Sequence, residues 1–259
     1  MDLPPRQKNT ETVPTTLRLL VILEEIARIG VPVTPTDLMA VLDLPKPTMH
    51  RLFATLEAEG FLIREIDGRS YTPGRRLRTL SLNVQTSLRV RTARVAVLRA
   101  LADELGETCN IAVPDRDAML YLDRVETKWP LRIQLPVGSQ VPFYCTASGK
   151  MYLSTLNKAH LERYLGALSP APHTTATILD RARLQEEIAQ TRTRGFAEDA
   201  EEFMDGMIAI AMPILDERRR LVSTVSFHAP TVRLTLEAAR AHIPRLRKAA
   251  EELSRLVAL

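Results

Sequence analysis

The stretch TPTDLMAVLDLPKPTMHRLFATLEAEGFLIREIDGRSYTP, residues 34–73, decides how this chain is read. It opens on a helix start. Thr34 is placed to cap, Pro35 to take the first helical position, and Asp37 to face the first-turn amides. Leu38, Val41 and Leu42 form one apolar face. Asp43-Leu44-Pro45 ends this helix, because proline disfavours helical geometry in the residue before it. The next helix is expected from about Pro47, with Leu52, Phe53 and Leu56 turned inward and Gly60 closing it. Two short strand patterns, at 61–64 and 70–72, flank Ile66-Asp67-Gly68-Arg69, and Asp-Gly is a strong hairpin signal. Just upstream, Leu17, Leu20, Ile22, Leu23, Ile26 and Ile29 mark a further helix, closed by Gly30. Helix, turn, helix and hairpin in this order make a winged helix-turn-helix. Such a module lays one helix in the major groove of double-stranded DNA and sets a loop beside it.

The residues available for that contact are Thr34, Lys46, Pro47, Thr48, His50 and Arg51 at the helix starts and Arg69 at the hairpin tip. Lys46 and Arg51 suit phosphates or guanine, Thr48 a phosphate or a thymine methyl, and Arg69 a minor groove. His50 has an equally ordinary reading as a surface histidine on the neighbouring helix. Charge is distributed in keeping with this. The whole net charge of +4 falls in residues 1–95, which hold 14 Lys and Arg against 10 Asp and Glu; the remainder is balanced at 21 against 21. From Gly68 to Ala102 there is no acid, while Arg69, Arg75, Arg76, Arg78, Arg89, Arg91, Arg94 and Arg99 are present. A basic stretch beside a helix-turn-helix suits phosphate contact, although alone it would read as a solvated helix face.

Leu77, Leu80, Val84, Leu88, Val95 and Leu98 follow as one narrow apolar stripe, expected on a long connecting helix. It reads as packing on its own domain or as a dimer seam, and two-fold proteins suit palindromic operators. Beyond it the chain alternates. Strands are expected at 110–113, 119–124, 131–134, 208–215 and 221–228. Helices are expected at 146–156 and 181–194, and a closing amphipathic helix on Leu236, Ala239, Ile243, Leu246, Leu253 and Leu256. Two motifs stand out. Cys145-Thr146-Ala147-Ser148-Gly149-Lys150 opens a helix with small residues whose amides can hold an anion, or else simply pack closely. Asp199, Glu201 and Glu202 form an acidic segment, usually solvated.

The two cysteines, Cys109 and Cys145, suit a reducing cytoplasm rather than a disulfide framework. Residues 1–13 are expected to be flexible, with no signal-peptide core, and no apolar run approaches the roughly 20 residues that span a bilayer.

Residues 44–52, Thr55-Leu56-Glu57, Gly60-Phe61 and 71–74 resemble the DNA-binding region of IclR-type bacterial transcription regulators, with Pro47 where a serine is usual. Residues 145–150 and 194–216 resemble the effector-binding domain of the same family, so the likeness runs over about 14–257. It implies a small organic acid held by the backbone at Ala147, Ser148 and Gly149, by Asp199, and by Ser226 and His228 on the last strands. Ala209 stands where cysteine is common and His228 where serine is common; Met119, Leu131 and Met151 read as apolar walls or, as such residues more often are, as plain core.

The expectation is therefore an α+β protein. A winged helix-turn-helix spans 14–76 and a linker helix 77–95. A GAF-like antiparallel sheet with helices, binding the effector, spans 96–259. It would act in the cytoplasm as a homodimer or homotetramer, without a cofactor or metal. Two alternatives remain open on the residues. One is an enzyme with Cys145 or Ser148 as nucleophile and His160, His173 or His228 as base, although no G-x-S-x-G element is present. The other is a metal sensor on Cys145, His173 and His228.

Overall fold

The computed structural model describes residues 14–42, 44–85 and 88–257. The chain divides into two compact units, one ending at Gln85 and one beginning at Thr86.

In the first unit a 3-10 turn, Thr15–Leu17, leads into α1 (Arg18–Ile29), which ends at Gly30 with the Gly30 N–H bonded to Ile26 O at 3.1 Å. The start of α2 (Pro35–Leu42) is a reciprocal capping box. Thr34 Oγ1 accepts from the Asp37 N–H at 3.3 Å, and the Asp37 carboxylate accepts from the Thr34 N–H at 2.7 Å. In α3 (Lys46–Ala58) the buried residues are Met49, Phe53 and Leu56, spaced to share one face. Met49 is thus core, and Leu52 is only half buried. These side chains pack with Ile22, Ile26, Leu38, Leu62 and Tyr71 into one apolar cluster.

The strands β1 (Leu62–Arg64) and β2 (Tyr71–Pro73) pair antiparallel, and Val33 bridges to Tyr71. Gly74 is required by close approach: a Cβ there would lie 2.4 Å from Gly60 O, where the wing returns past the end of α3. The helix α4 (Arg75–Gln85) follows, with Leu77 half buried and Leu80 and Val84 exposed.

The second unit begins with α5 (Leu88–Leu105), which runs on past the expected linker end at residue 95 and buries Leu98, Leu101 and Leu105. The strands β3 (Thr108–Asp115), β4 (Ala118–Val125) and β5 (Gln140–Pro142) come next, then α6 (Ala147–Thr155), α7 (Lys158–Ala167) and α8 (Arg181–Arg194). The chain finishes with β6 (Ala197–Ala200), β7 (Met207–Leu215), β8 (Leu221–Pro230), α9 (Leu236–Arg240) and α10 (Ile243–Val257). The strands form one antiparallel sheet in the order β5-β4-β3-β8-β7-β6.

Three expectations are corrected. Residues 131–134 form no strand; their backbone is caught by side chains instead, with Arg233 donating to Leu131 O and Arg124 to Ile133 O. The closing helix is two helices, because Pro244 has no N–H to bond back to the preceding turn. The acidic segment is not solvated: Asp199 is a buried residue of β6, and Glu202 is buried just beyond it.

The sheet has two unlike faces. One carries Ile111, Asp123 and Val225 in a row and is covered by α5 and α10. There Arg94 donates to Asp123 Oδ2 at 2.9 and 2.7 Å, and Arg91 to Oδ1 at 3.1 Å, tying α5 to the sheet. The other face is covered by α6, whose Ala147 and Met151 pack on Ala197, Ala209 and Ala211. The alanines let the helix lie close. A Cβ on Gly149 would lie 2.3 Å from the Phe143 Cα, so this position admits only glycine.

Candidate nucleic-acid interface and ligand site

The first unit keeps most of its candidate contact residues on the outside, its buried Glu25 and Ser70 being bonded to Arg28 and Asp67. Lys46, Pro47, His50 and Arg51 are exposed at the start of α3, with Thr48 half buried beside them. Lys46, His50, Arg51 and the wing's Arg69 make no side-chain hydrogen bond or ion pair among the described residues. The N-cap of α3 is Pro45, so no side chain caps its first amides, and Pro47 contributes no N–H. Thr34 is occupied at the α2 cap.

The basic stretch is less available than its composition suggests. Arg76 pairs with Glu59 at 2.7 Å and lies 4.6 Å from the Phe61 ring centroid. Arg78 donates to Pro73 O, and Arg91 and Arg94 are bound to Asp123. Among the described residues Arg75 and Arg99 are exposed and form no ion pair, and Arg69 is exposed with only the nearby Asp67 charge, while the side chain of Arg89 lies outside the described residues.

The second unit does the opposite. Strand register places Asp199, Ala209, His228 and Thr108 in one row across the α6-covered face. Ala197, Ala211, Ser226, Asn110 and Arg124 make the adjacent row. Above them α6 begins with Thr146 Oγ1 accepting from the Gly149 N–H at 3.1 Å. The Gly149 amide is therefore spent on the cap, and Ala147 and Ser148 hold the remaining open amides of that turn. Among the described residues six buried side-chain atoms have no hydrogen-bond partner: Asn110 Nδ2, Ser148 Oγ, Asp199 Oδ2, Glu202 Oε2, Ser226 Oγ and His228 Nδ1. Each such group costs about 1–3 kcal/mol when left unsatisfied.

Their partners on the other side fix their roles. Arg124 donates to Asn110 Oδ1 at 3.0 Å, leaving the amide NH2 as a donor. Tyr121 Oη lies 3.3 Å from His228 Nε2; with the tyrosine donating, the ring proton sits on the unpartnered Nδ1. Burial and then the Arg124 charge push His228 down to about 3, so the ring stays neutral. Burial and then the Glu202 charge raise Asp199 to about 7, against the Lys150 ammonium and the Glu202 and Phe203 amides. Lys150 itself is buried, bonded to Glu202 and 3.7 Å from Glu187.

Not every expected site residue joins this face. Leu131 is exposed and forms no apolar wall. Met119 shares the face of Tyr121, two residues away on β4, but is fully buried in an apolar cluster with Tyr121, Val141 and Phe143 rather than in the polar rows. Asn110, Tyr121 and Arg124 carry no motif that marks them in sequence; only the pairing of β3 with β4 and β8 brings them in.

The first unit matches the IclR helix-turn-helix domain over residues 15–65, and residues 82–255 match the bacterial transcriptional regulator IclR C-terminal domain. The chain belongs to the IclR family. It is 37% identical over 237 residues to the probable transcriptional regulator SauR of Cupriavidus necator, covering 92% of this chain and 94% of that one. It is 30% identical to the transcriptional repressor IclR of Escherichia coli, covering 87% of this chain and 83% of that one. Among solved structures, Thermotoga maritima IclR matches at a TM-score of 0.62 and 27% identity, over 93% of this chain and 97% of that one.

This IclR-family chain is a DNA-binding transcriptional regulator and not an enzyme. Burial, with the Asp199 and Glu202 charges, pushes the Cys145 thiol up to about 12, far from a reactive thiolate. Among the described residues no three His, Cys, Asp or Glu side chains are grouped to hold a metal, so Cys145, His173 and His228 form no ligand set. No described helix is long and apolar enough to cross a membrane.

Proposed function

We propose that this regulator binds a palindromic double-stranded DNA operator as a homo-oligomer in the cytoplasm and senses a small organic acid on the α6-covered face of its sheet. The observation that carries the sensor reading is the set of six unpartnered buried polar atoms on and around one sheet face. A protein interior seldom keeps such groups unless a ligand or water satisfies them. Asn110 Nδ2, Ser226 Oγ, His228 Nδ1 and Ser148 Oγ supply donors for an oxyanion, and the open amides of Ala147 and Ser148 add to them. Asp199, raised to about 7, carries a proton in part of the molecules at neutral pH and then donates as well as accepts. Ala209 beside them removes bulk.

On the DNA side, Lys46, Thr48, His50 and Arg51 would reach the major groove and Arg69 the minor groove. Thr34 and Pro47 act by shaping the two helix starts. The exposed Leu80 and Val84 on α4 favour a dimer seam that sets the spacing of two reading heads. A ligand that prefers one spacing shifts the population between the two.

The test is a thermal-shift screen of the full chain with small mono- and dicarboxylates and aromatic acids, since binding to the native state raises its apparent stability. At least one acid should raise Tm, and Ser226→Ala with His228→Leu should abolish the shift. A flat response to every acid in the screen would sink the reading.

A further inference from the structure

The wing carries one large apolar side chain at its tip. Ile66 has a relative exposure of 105%, above every other large hydrophobic residue described. Its backbone is nonetheless held firmly. The Glu65 N–H donates to Ser70 O at 2.8 Å and the Gly68 N–H to Glu65 O at 2.9 Å. The Asp67 carboxylate accepts from the Arg69 and Ser70 amides and from Ser70 Oγ at 2.8, 2.8 and 2.7 Å. Gly68 takes the left-handed conformation, φ +68°, that closes the loop.

Arg64 then fastens this loop to α3. It donates to both Glu57 carboxylate oxygens at 2.9 and 2.7 Å and to Gly68 O at 3.1 Å. Its guanidinium lies 4.8 Å from the Tyr71 ring centroid, and Tyr71 packs edge-on against Phe53 at 5.1 Å. The position of Ile66 relative to the exposed start of α3 is thereby set by bonds before any DNA arrives. An isoleucine held in water this way contributes nothing to the apolar core of the unit.

We propose that Ile66 is an apolar wedge that enters the minor groove beside Arg69 while α3 occupies the major groove. It presses against the groove floor and partly opens a base step. Arg69 supplies charge to a narrow groove, and Ile66 supplies shape, so the wing selects sequence through deformability and through the absence of the guanine N2 amino group. The two contributions are separable because an isoleucine releases no counterions.

The experiment uses the full chain and a duplex it selects from a random-sequence pool. Ile66→Ala should weaken binding about tenfold with the slope of log K against log salt unchanged, and with an unaltered Tm for the protein. Arg69→Ala should lower that slope by about 1. A·T pairs protected in the minor groove beside the wing are then replaced by G·C or by inosine·C, which keeps the A·T-like minor-groove edge. The parent should lose affinity on G·C and keep it on inosine·C, and Ile66→Ala should lose most of the G·C penalty. An affinity that Ile66→Ala leaves unchanged overturns the proposal. So does a salt slope that falls with Ile66→Ala, or a G·C penalty that the substitution does not reduce.

Discussion

The two units place their polar groups in opposite ways. In the winged helix-turn-helix, Lys46, His50, Arg51 and Arg69 stand in water, where an unpartnered charge costs little, over a core of Ile22, Ile26, Met49, Phe53 and Tyr71. In the sheet unit, Asn110, Asp199, Glu202, Ser226 and His228 are buried with open hydrogen-bonding capacity. The surface set can wait for DNA indefinitely. The buried set costs stability wherever its hydrogen bonds go unmade, and anything that makes them stabilises the fold. Binding in the second unit should therefore register as stability, and binding in the first as salt-dependent affinity.

The largest expected effect is at Lys150, the ammonium that neutralises Glu202 and Glu187 inside the sheet unit. Lys150→Met should cost about 3–5 kcal/mol in denaturant unfolding, because it leaves the buried Glu202 carboxylate without a counter-charge, whereas Glu187 keeps Arg194 at 2.7 Å. A cost below about 1 kcal/mol would mean that these groups are solvated and the contrast between the units is wrong.

Next is Asp199→Asn, read across pH. The native carboxyl titrates at about 7 against 3.8 for its ordinary value, so the native state holds its proton more tightly than the unfolded chain. Stability from this group is fully present below pH 3.8 and is lost as pH rises through about 7. His228 contributes the reverse slope, its stability being lost as pH falls from 6.5 towards about 3, so the informative quantity is variant minus parent. That difference should move in the variant's favour by a few kcal/mol between pH 4 and pH 8; a pH-independent difference would contradict the assignment.

Gly149→Ala should cost about 1–3 kcal/mol and abolish acid-induced stabilisation, since its Cβ meets the Phe143 backbone and displaces the start of α6. Arg51→Ala should have the smallest effect. It lowers the salt slope of DNA binding by about 1 and leaves the acid-induced Tm shift untouched. Loss of acid binding in Arg51→Ala would show that the two units do not divide the labour as described.

The same contrast explains what could be read in the sequence. The first unit is written in local chemistry: Thr34 three residues before Asp37, Pro45 before α3, Gly60 after it, and Asp67-Gly68 at the wing. Each signal acts on its own neighbours, and the structure follows them. The charge of the basic stretch that runs from the first unit into the second was less legible, because Glu59 claims Arg76, and Asp123 claims Arg91 and Arg94, from a distance in sequence.

In the second unit the long apolar strands β3, β4, β7 and β8 were legible, but β6 was not. Its sequence Ala197-Glu198-Asp199-Ala200 looks solvated until Arg240 and Arg194 reach Glu198, and the Glu202 and Phe203 amides reach Asp199. Asn157, whose side chain accepts from the His160 N–H at 2.9 Å, was the available sign of α7. Arg124 had no sign at all: it joins the polar row only because a register shift after Ile111 keeps Asn110 and Arg124 opposite each other and on the same face as Tyr121.

The most direct test of the account is the DNA affinity of the full chain, measured with and without the acid that raises its Tm most. Linkage predicts that a saturating amount of the acid changes the Kd for the selected duplex by at least about fivefold, and that saturating duplex changes the Kd for the acid by the same factor. An acid that stabilises the protein yet leaves the DNA Kd unchanged would contradict a sensor coupled to a reader.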